Sequence, residues 1–152
     1  MNFNHVMLVV SDMEEALKLW RDLFGFKVVF DSPCPDGVFI DKKTQDTCYG
    51  VENVNTHLIL LASDEGAIIE LQEPFTPECK KTPREYLSYA YTGLNELAFT
   101  VSNIEEWFEK VRAAGYETTT DFIWKFGDVT KSFIFRDSDY NLIQLCEAIP
   151  QA

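Results

Sequence analysis

Hydrophobic and polar positions alternate at the start of the chain and again in its middle, in the same order. Asn4-His5-Val6-Met7-Leu8-Val9-Val10-Ser11-Asp12-Met13-Glu14-Glu15 overlies Asn95-Glu96-Leu97-Ala98-Phe99-Thr100-Val101-Ser102-Asn103-Ile104-Glu105-Glu106 without a gap. In each copy a period of two predicts a short strand, and a period near that of a helix takes over after it. Met13, Leu17, Trp20, Leu23 and Phe24 share one face of the first helix, and Ile104, Trp107, Phe108 and Val111 one face of the second. Such stripes are core, so neither Trp20 nor Trp107 receives a site role. Gly25 and Gly115 read as helix stops. Asp12 with Glu15, and Asn103 with Glu106, have the spacing of capping boxes, in which the first side chain takes a free helix N–H and the glutamate answers back.

The copies also end alike, with Ala67-Ile68-Ile69-Glu70-Leu71-Gln72-Glu73 lying over Asn141-Leu142-Ile143-Gln144-Leu145-Cys146-Glu147. Each copy is therefore a βαβββ unit. Strands are expected near 4–10, 27–31, 55–62 and 67–72, then near 94–101, 116–120, 130–136 and 142–147. Residues 1–73 form the first module, 74–92 a connection and 93–152 the second module. Two stretches do not repeat. Ser32 to Gly50 carries prolines, a Pro-Asp-Gly turn and a polar segment of helical character, and Glu73 to Thr92 carries Pro74, Pro77 and Pro83. Long irregular segments tend to be lids or binding loops. Tyr86, Tyr89 and Tyr91 in the second stretch are expected to pack between the modules before they reach a ligand.

Composition bounds the partners. The 152 residues are 46% hydrophobic and 14% aromatic, enough for one good core. Thirteen Lys and Arg against 25 Asp and Glu give a net charge of −12. The closest basic pairs are Lys42-Lys43 and Lys80-Lys81, so no basic patch offers a nucleic acid a surface. No apolar run approaches the roughly 18 residues of a membrane span, and the first ten residues do not read as a signal peptide. A cytoplasmic protein is expected. Cys34, Cys48, Cys79 and Cys146 form no C-x-x-C pair and read as free thiols. The turn Asp137-Ser138-Asp139-Tyr140-Asn141 has the spacing of a calcium loop, but Leu142 stands where that loop needs glycine and Ala148 where it needs glutamate.

Strand alternation sorts the candidate chemistry. Val6, Leu8 and Val10, like Leu97, Phe99 and Val101, make apolar faces for the helices. The opposite faces carry His5, Met7 and Val9 in one copy and Glu96, Ala98 and Thr100 in the other. The closing strands add Ile68, Glu70 and Gln72, and Leu142, Gln144 and Cys146. Four repeat-equivalent positions thus hold His5, Glu70, Glu96 and Gln144. An interior glutamate in such a strand is costly unless it is paired, protonated or bound to a metal.

The repeat, the opening strand with His5, the Asp-x-Asp-x-Asn turn and the closing Ile-Ile-Glu-Leu and Leu-Ile-Gln-Leu strands resemble the vicinal oxygen chelate superfamily. That superfamily includes glyoxalase I, methylmalonyl-CoA epimerase, extradiol dioxygenases and drug-binding proteins of the bleomycin-resistance type. The resemblance spans residues 4 to 147. It implies an α+β fold, two tandem βαβββ modules forming a cup-shaped mixed sheet with helices outside, and a homodimer. It also implies a divalent metal (Ni, Zn, Co, Mn or Fe) on His5, Glu70, Glu96 and Gln144. Relatives often have histidine where Glu96 stands and glutamate where Gln144 stands. The implied chemistry is isomerase or lyase chemistry through an enediolate of a small oxygenated substrate, with Glu96 or Glu70 as the base. Met7, Val9, Ile68, Gln72, Ala98, Thr100, Leu142, Cys146 and Trp124 would line the pocket.

Extradiol dioxygenation fits less well, since that branch uses two histidines and a carboxylate, and His57 reads as a core or rim residue. The alternative is a metal-free binding protein of the antibiotic-resistance type. The changes at Glu96 and Gln144 suit it, as do the aromatics near the irregular stretches: Phe39, Tyr49, Phe75, Tyr86, Phe122, Trp124 and Phe126. Against it, all four positions keep side chains able to bind metal. Arg84 and Arg136 are candidates for an anionic substrate, while Arg21 and Arg112 read as surface charges.

Overall fold

The computed structural model describes residues 1–32 and 40–151. Cys34, Phe39 and the Pro-Asp-Gly turn at 35–37 lie outside them. The chain divides into two compact units, Met1–Lys81 and Thr82–Ala152. The first contains β1 (Val6–Val9), α1 (Met13–Leu17), β2 (Lys27–Ser32), α2 (Lys42–Tyr49), β3 (Asn55–Ala62) and β4 (Ile68–Thr76). The second contains β5 (Glu96–Thr100), α3 (Ile104–Ala113), β6 (Trp124–Phe126), β7 (Thr130–Arg136) and β8 (Leu142–Ala148). Their sheets are ordered β1-β4-β3-β2 and β5-β8-β7-β6. In each, the first strand runs parallel to the last and the other pairings are antiparallel. This is the tandem βαβββ plan of an α+β protein. Among the described residues no helix is long and apolar enough to cross a membrane.

The apolar faces meet the helices as the alternation requires. Ile59, Leu61, Ile69 and Leu71 are buried in the first unit, where α1 packs on β4. Trp20 is buried with them, its ring edge-on to Phe24 and Phe26 at 5.7 Å. In the second, α3 lays Ile104, Phe108 and Val111 on Phe133, Phe135, Ile143 and Leu145, with Phe108 and Phe133 edge-on at 5.1 Å. Each such side chain contributes about 1.5–3 kcal/mol by leaving water. Trp107 departs from the expected core stripe. It is half-buried, with the Lys110 ammonium 5.0 Å above its ring.

The two helical segments differ in length by one residue. Asn4 to Gly25 is 21 steps and Asn95 to Gly115 is 20. The extra residue is absorbed by a π-helical stretch, Lys18–Leu23, where the Phe24 N–H donates to the Leu19 carbonyl at 2.9 Å. Both segments then end on their glycines, at φ +76° and +90°.

Capping also diverges. Asp12 Oδ1 accepts from the Glu15 N–H at 3.0 Å, while the Glu15 carboxylate turns to Lys18 at 2.5 Å. Asn103 does not form the expected box. It sits in the left-handed region at φ +60°, and Glu147 from β8 accepts from the Asn103 and Ile104 N–H groups at 2.7 and 3.5 Å. The strand expected at 116–120 is reduced to a bridge from Thr118 to Phe135, and β6 follows at Trp124. The Thr119 N–H still donates to the Ile134 carbonyl at 2.8 Å and the Arg136 N–H to that of Glu117 at 2.9 Å, and the pairing stops where the Thr120 hydroxyl turns to the Phe122 carbonyl.

Candidate functional site

Cross-strand pairing places the predicted residues in rows on the sheet face opposite the helices. In the first unit Met7 pairs with Glu70 and Glu70 with Leu60, while Val9 pairs with Gln72 and Gln72 with Leu58. Met7 and Val9 are exposed, and Gln72 is buried. In the second, Ala98, Gln144 and Ile134 form one row, and Thr100, Cys146, Ser132 and Trp124 the next. Leu142 is buried beside Glu96 in the register.

His5 and Glu70 come together: His5 Nε2 lies 3.2 Å from Glu70 Oε2, with side chains 38% and 14% exposed. His5 Nδ1 is 2.5 Å from Asn4 Oδ1. Both ring nitrogens therefore face oxygen acceptors, an arrangement satisfied by two N–H donors, or by one N–H and a cation at Nε2. The other Glu70 oxygen, Oε1, accepts from Gln72 Nε2 at 2.5 Å. Gln72 Oε1 in turn accepts from the Tyr49 hydroxyl. Tyr49 is the last residue of α2, which Asp41 caps by accepting from the Thr44 N–H at 3.0 Å. Burial raises the pKa of the Tyr49 phenol, and the Glu70 charge adds to that rise.

The equivalent pair in the second unit is engaged differently. Glu96 Oε2 accepts from the Tyr89 hydroxyl at 2.5 Å. Burial, then this bond and the Glu96 charge, push the phenol up to about 12. Gln144 Nε2 donates to Ser132 Oγ at 2.8 Å, which directs the amide nitrogen to the sheet. Ser132 is fully buried; it donates to the Leu145 carbonyl at 2.9 Å and lies 3.4 Å from Cys146 Sγ. Tyr89 thus bonds a predicted site residue. Ser132 is not among the residues the sequence singles out, although alternation along β7 puts it, with Thr130, on the Gln144 face.

Other candidates are occupied. Asp137 Oδ1 accepts from the Asp139 and Asn141 N–H groups at 2.9 and 2.8 Å, so its carboxylate holds the turn. Arg84 pairs with Glu117, and Arg136 donates to the Leu87 and Tyr140 carbonyls at 3.1 and 2.7 Å. Arg21 pairs with Asp22 at 2.6 Å, and the Arg112 guanidinium lies 5.1 Å from the Phe108 ring centre. His57 Nε2 meets Asp31 at 2.8 Å. Among the described residues no group of three or more His, Cys, Asp and Glu side chains is gathered as a metal cluster.

The family model described as Glyoxalase/Bleomycin resistance protein/Dioxygenase superfamily matches residues 2–145. The chain belongs to this superfamily. No curated protein matches it. Among solved structures, a glyoxalase family protein from Bacillus cereus is 16% identical, with TM-score 0.82 over 99% of this chain and 95% of that one. A glyoxalase family protein from Enterococcus faecalis is 22% identical, with TM-score 0.68 over 96% and 97%. The fosfomycin resistance protein FosX from Listeria monocytogenes, complexed with Mn(II) and sulfate ion, is 18% identical, with TM-score 0.59 over 96% and 91%. At these identities the likenesses show the fold of a glyoxalase superfamily member.

The donors of the first module fit a metal of the kind the superfamily implies. Two donors each about 2.1 Å from one ion and at right angles lie about 3.0 Å apart. The spacing of His5 Nε2 and Glu70 Oε2, 3.2 Å, is close to this. In the second module the donor types also suit a mid-row divalent ion, and the Ser132 bond leaves the carbonyl end of Gln144 as the end a metal would use.

Proposed function

We propose that this glyoxalase superfamily member binds a divalent ion through His5, Glu70, Glu96 and Gln144. It would act as an isomerase or lyase on a small substrate with neighbouring oxygens. The observation that carries the reading is the His5–Glu70 pair, whose two donors are already at the separation of adjacent ligands. When bound, the ion would supply Lewis acidity to the substrate oxygens. Glu70 has both oxygens engaged, by His5 and Gln72, which suits a ligand. Glu96 is then the group to take a proton from the carbon beside those oxygens, with Tyr89 holding its carboxylate. The same resemblance leads us to propose a homodimer working in the cytoplasm.

Elemental analysis by plasma mass spectrometry tests this on protein purified without chelator. About one Ni, Zn, Co, Mn or Fe per chain, lost in His5→Ala, supports the site. No metal after reconstitution, or metal content unchanged in His5→Ala, overturns it. A positive result directs assays to the hemithioacetal of methylglyoxal and glutathione and to methylmalonyl-CoA.

A second reading, metal-free capture of a flat small molecule, is favoured by one observation. Trp124 shares its sheet row with Cys146 and Thr100, while Glu96 is held by Tyr89. It predicts quenching of Trp124 fluorescence by aromatic compounds with no effect of EDTA. Loss of that quenching on chelation counts against it.

A further inference from the structure

We propose that Tyr49 and Gln72 are positioning residues for Glu70, the phenol fixing the amide and the amide turning the carboxylate toward His5. This rests on the reading that His5 and Glu70 hold a divalent ion.

Glu70 and Gln72 stand two residues apart on β4 and so on one face, where Gln72 Nε2 reaches Glu70 Oε1 at 2.5 Å. A side-chain amide has a donor end and an acceptor end of nearly the same shape, and only the donor end can hold a carboxylate. Glu70, which can only accept, takes the NH2 end, and the Tyr49 hydroxyl holds the other end, donating to Gln72 Oε1. A mis-turned amide would set its oxygen against the carboxylate, and Gln72 is buried, so water offers little relief. With Oε1 held by the amide, Oε2 is the oxygen presented to His5.

The device belongs to the first module alone. The repeat places Cys146 at the position of Gln72, and Tyr49 comes from α2, inside the stretch that the second module lacks. Gly50, at φ +68°, ends α2 immediately after the tyrosine.

The test is Co(II) titration of the full chain by competition with a chelating dye, with Mn(II) electron paramagnetic resonance as a second readout and circular dichroism to check folding. The proteins are wild type, Tyr49→Phe, Gln72→Met and the double variant. Gln72→Met keeps the length of the side chain and removes the donor, and should weaken Kd 10- to 100-fold, the usual range for groups that orient metal ligands. Tyr49→Phe removes one hydroxyl and should weaken it about three- to tenfold. Because the tyrosine acts through the glutamine, the double variant should bind no more weakly than Gln72→Met alone. Wild-type affinity in both single variants, or effects that add in full, overturns the inference while leaving the metal reading in place. Failure of wild type itself to bind Co(II) overturns the metal reading and the inference with it. If Gln72→Met does not fold, Tyr49→Phe decides, and an unchanged Kd in that variant overturns the proposal.

Discussion

In β1 paired with β4, and in β5 paired with β8, the backbone repeats itself: Met7 opposes Glu70 as Ala98 opposes Gln144, and Leu8 opposes Leu71 as Phe99 opposes Leu145. The polar groups on that shared frame do not repeat. In the first module the histidine and the glutamate meet each other, supported by an amide and a phenol. In the second, the glutamate bonds Tyr89 and the glutamine bonds Ser132. Both tyrosines come from stretches that are not duplicated. The difference teaches that duplication preserves register and core, because every strand neighbour depends on them. Site chemistry diverges at exchanged positions on the shared strands, such as Gln72 against Cys146, and through tyrosines delivered by the unrepeated segments.

The comparison predicts equal cores and unequal sites. Leu71 and Leu145 are repeat-equivalent and almost fully buried, so Leu71→Ala and Leu145→Ala should each cost about 2–5 kcal/mol in urea denaturation. A loss well below this range in one module would show that its face is not the core described above. The sites should respond unequally. His5→Ala should weaken metal uptake about 100-fold or more, roughly 2.7 kcal/mol, and Gln144→Ala about tenfold, since a neutral amide oxygen is the weakest donor of the set. Equal losses by calorimetric titration would remove the asymmetry between modules.

Smaller effects are expected at the helix starts. Asp12→Ala should cost about 1 kcal/mol, the usual value of a side-chain N-cap. In the second module the same cost should fall on Glu147→Ala, because that carboxylate takes the Asn103 N–H. Asn103→Gly should be close to neutral, glycine being at ease at φ +60°. Thermal melts showing no loss in Glu147→Ala would return the cap to Asn103.

Much of this was legible from alternation alone. The period of two sorted Ile69 and Leu71 from Glu70 and Gln72, and Ile143 and Leu145 from Gln144 and Cys146, which is enough to name both buried faces. The tyrosines were not legible in the same way. Tyr49 and Tyr89 sit in stretches without a period, and their partners are set by where a helix or a connection crosses the sheet. The Asn103 box failed for a related reason: its rival, Glu147, is distant in sequence and adjacent only after β8 forms. The strand expected at 116–120 keeps backbone bonds to β7 at Glu117 and Thr119 and stops where the Thr120 hydroxyl takes the nearby Phe122 carbonyl, a bond that the threonine-rich pattern, read as a strand former, does not distinguish.

The smallest effect is a slope rather than a step, and it compares the two hairpin turns. Ser63–Ala67 and Asp137–Asn141 close in the same way, the Ser63 N–H donating to the Ala67 carbonyl at 2.9 Å and the Asp137 N–H to that of Asn141 at 3.1 Å. The first turn is held by a hydroxyl, with the Ala67 N–H donating to Ser63 Oγ at 3.2 Å; the second is held by a buried carboxylate. Burial raises the Asp137 pKa above its ordinary 3.8, outweighing the bonds from Asn141 and Asp139 that pull it down. The folded chain therefore holds this proton more tightly than the unfolded one. The stability contributed by the group is full below about pH 3.8 and falls as pH rises through the higher folded value. Asp137→Ser, which installs the residue of the first turn, should remove that slope. Urea midpoints measured upward from pH 3.5 should show the advantage of wild type over the variant shrinking as pH rises. An advantage that grows instead would mean that the hydrogen bonds, and not burial, govern the carboxylate.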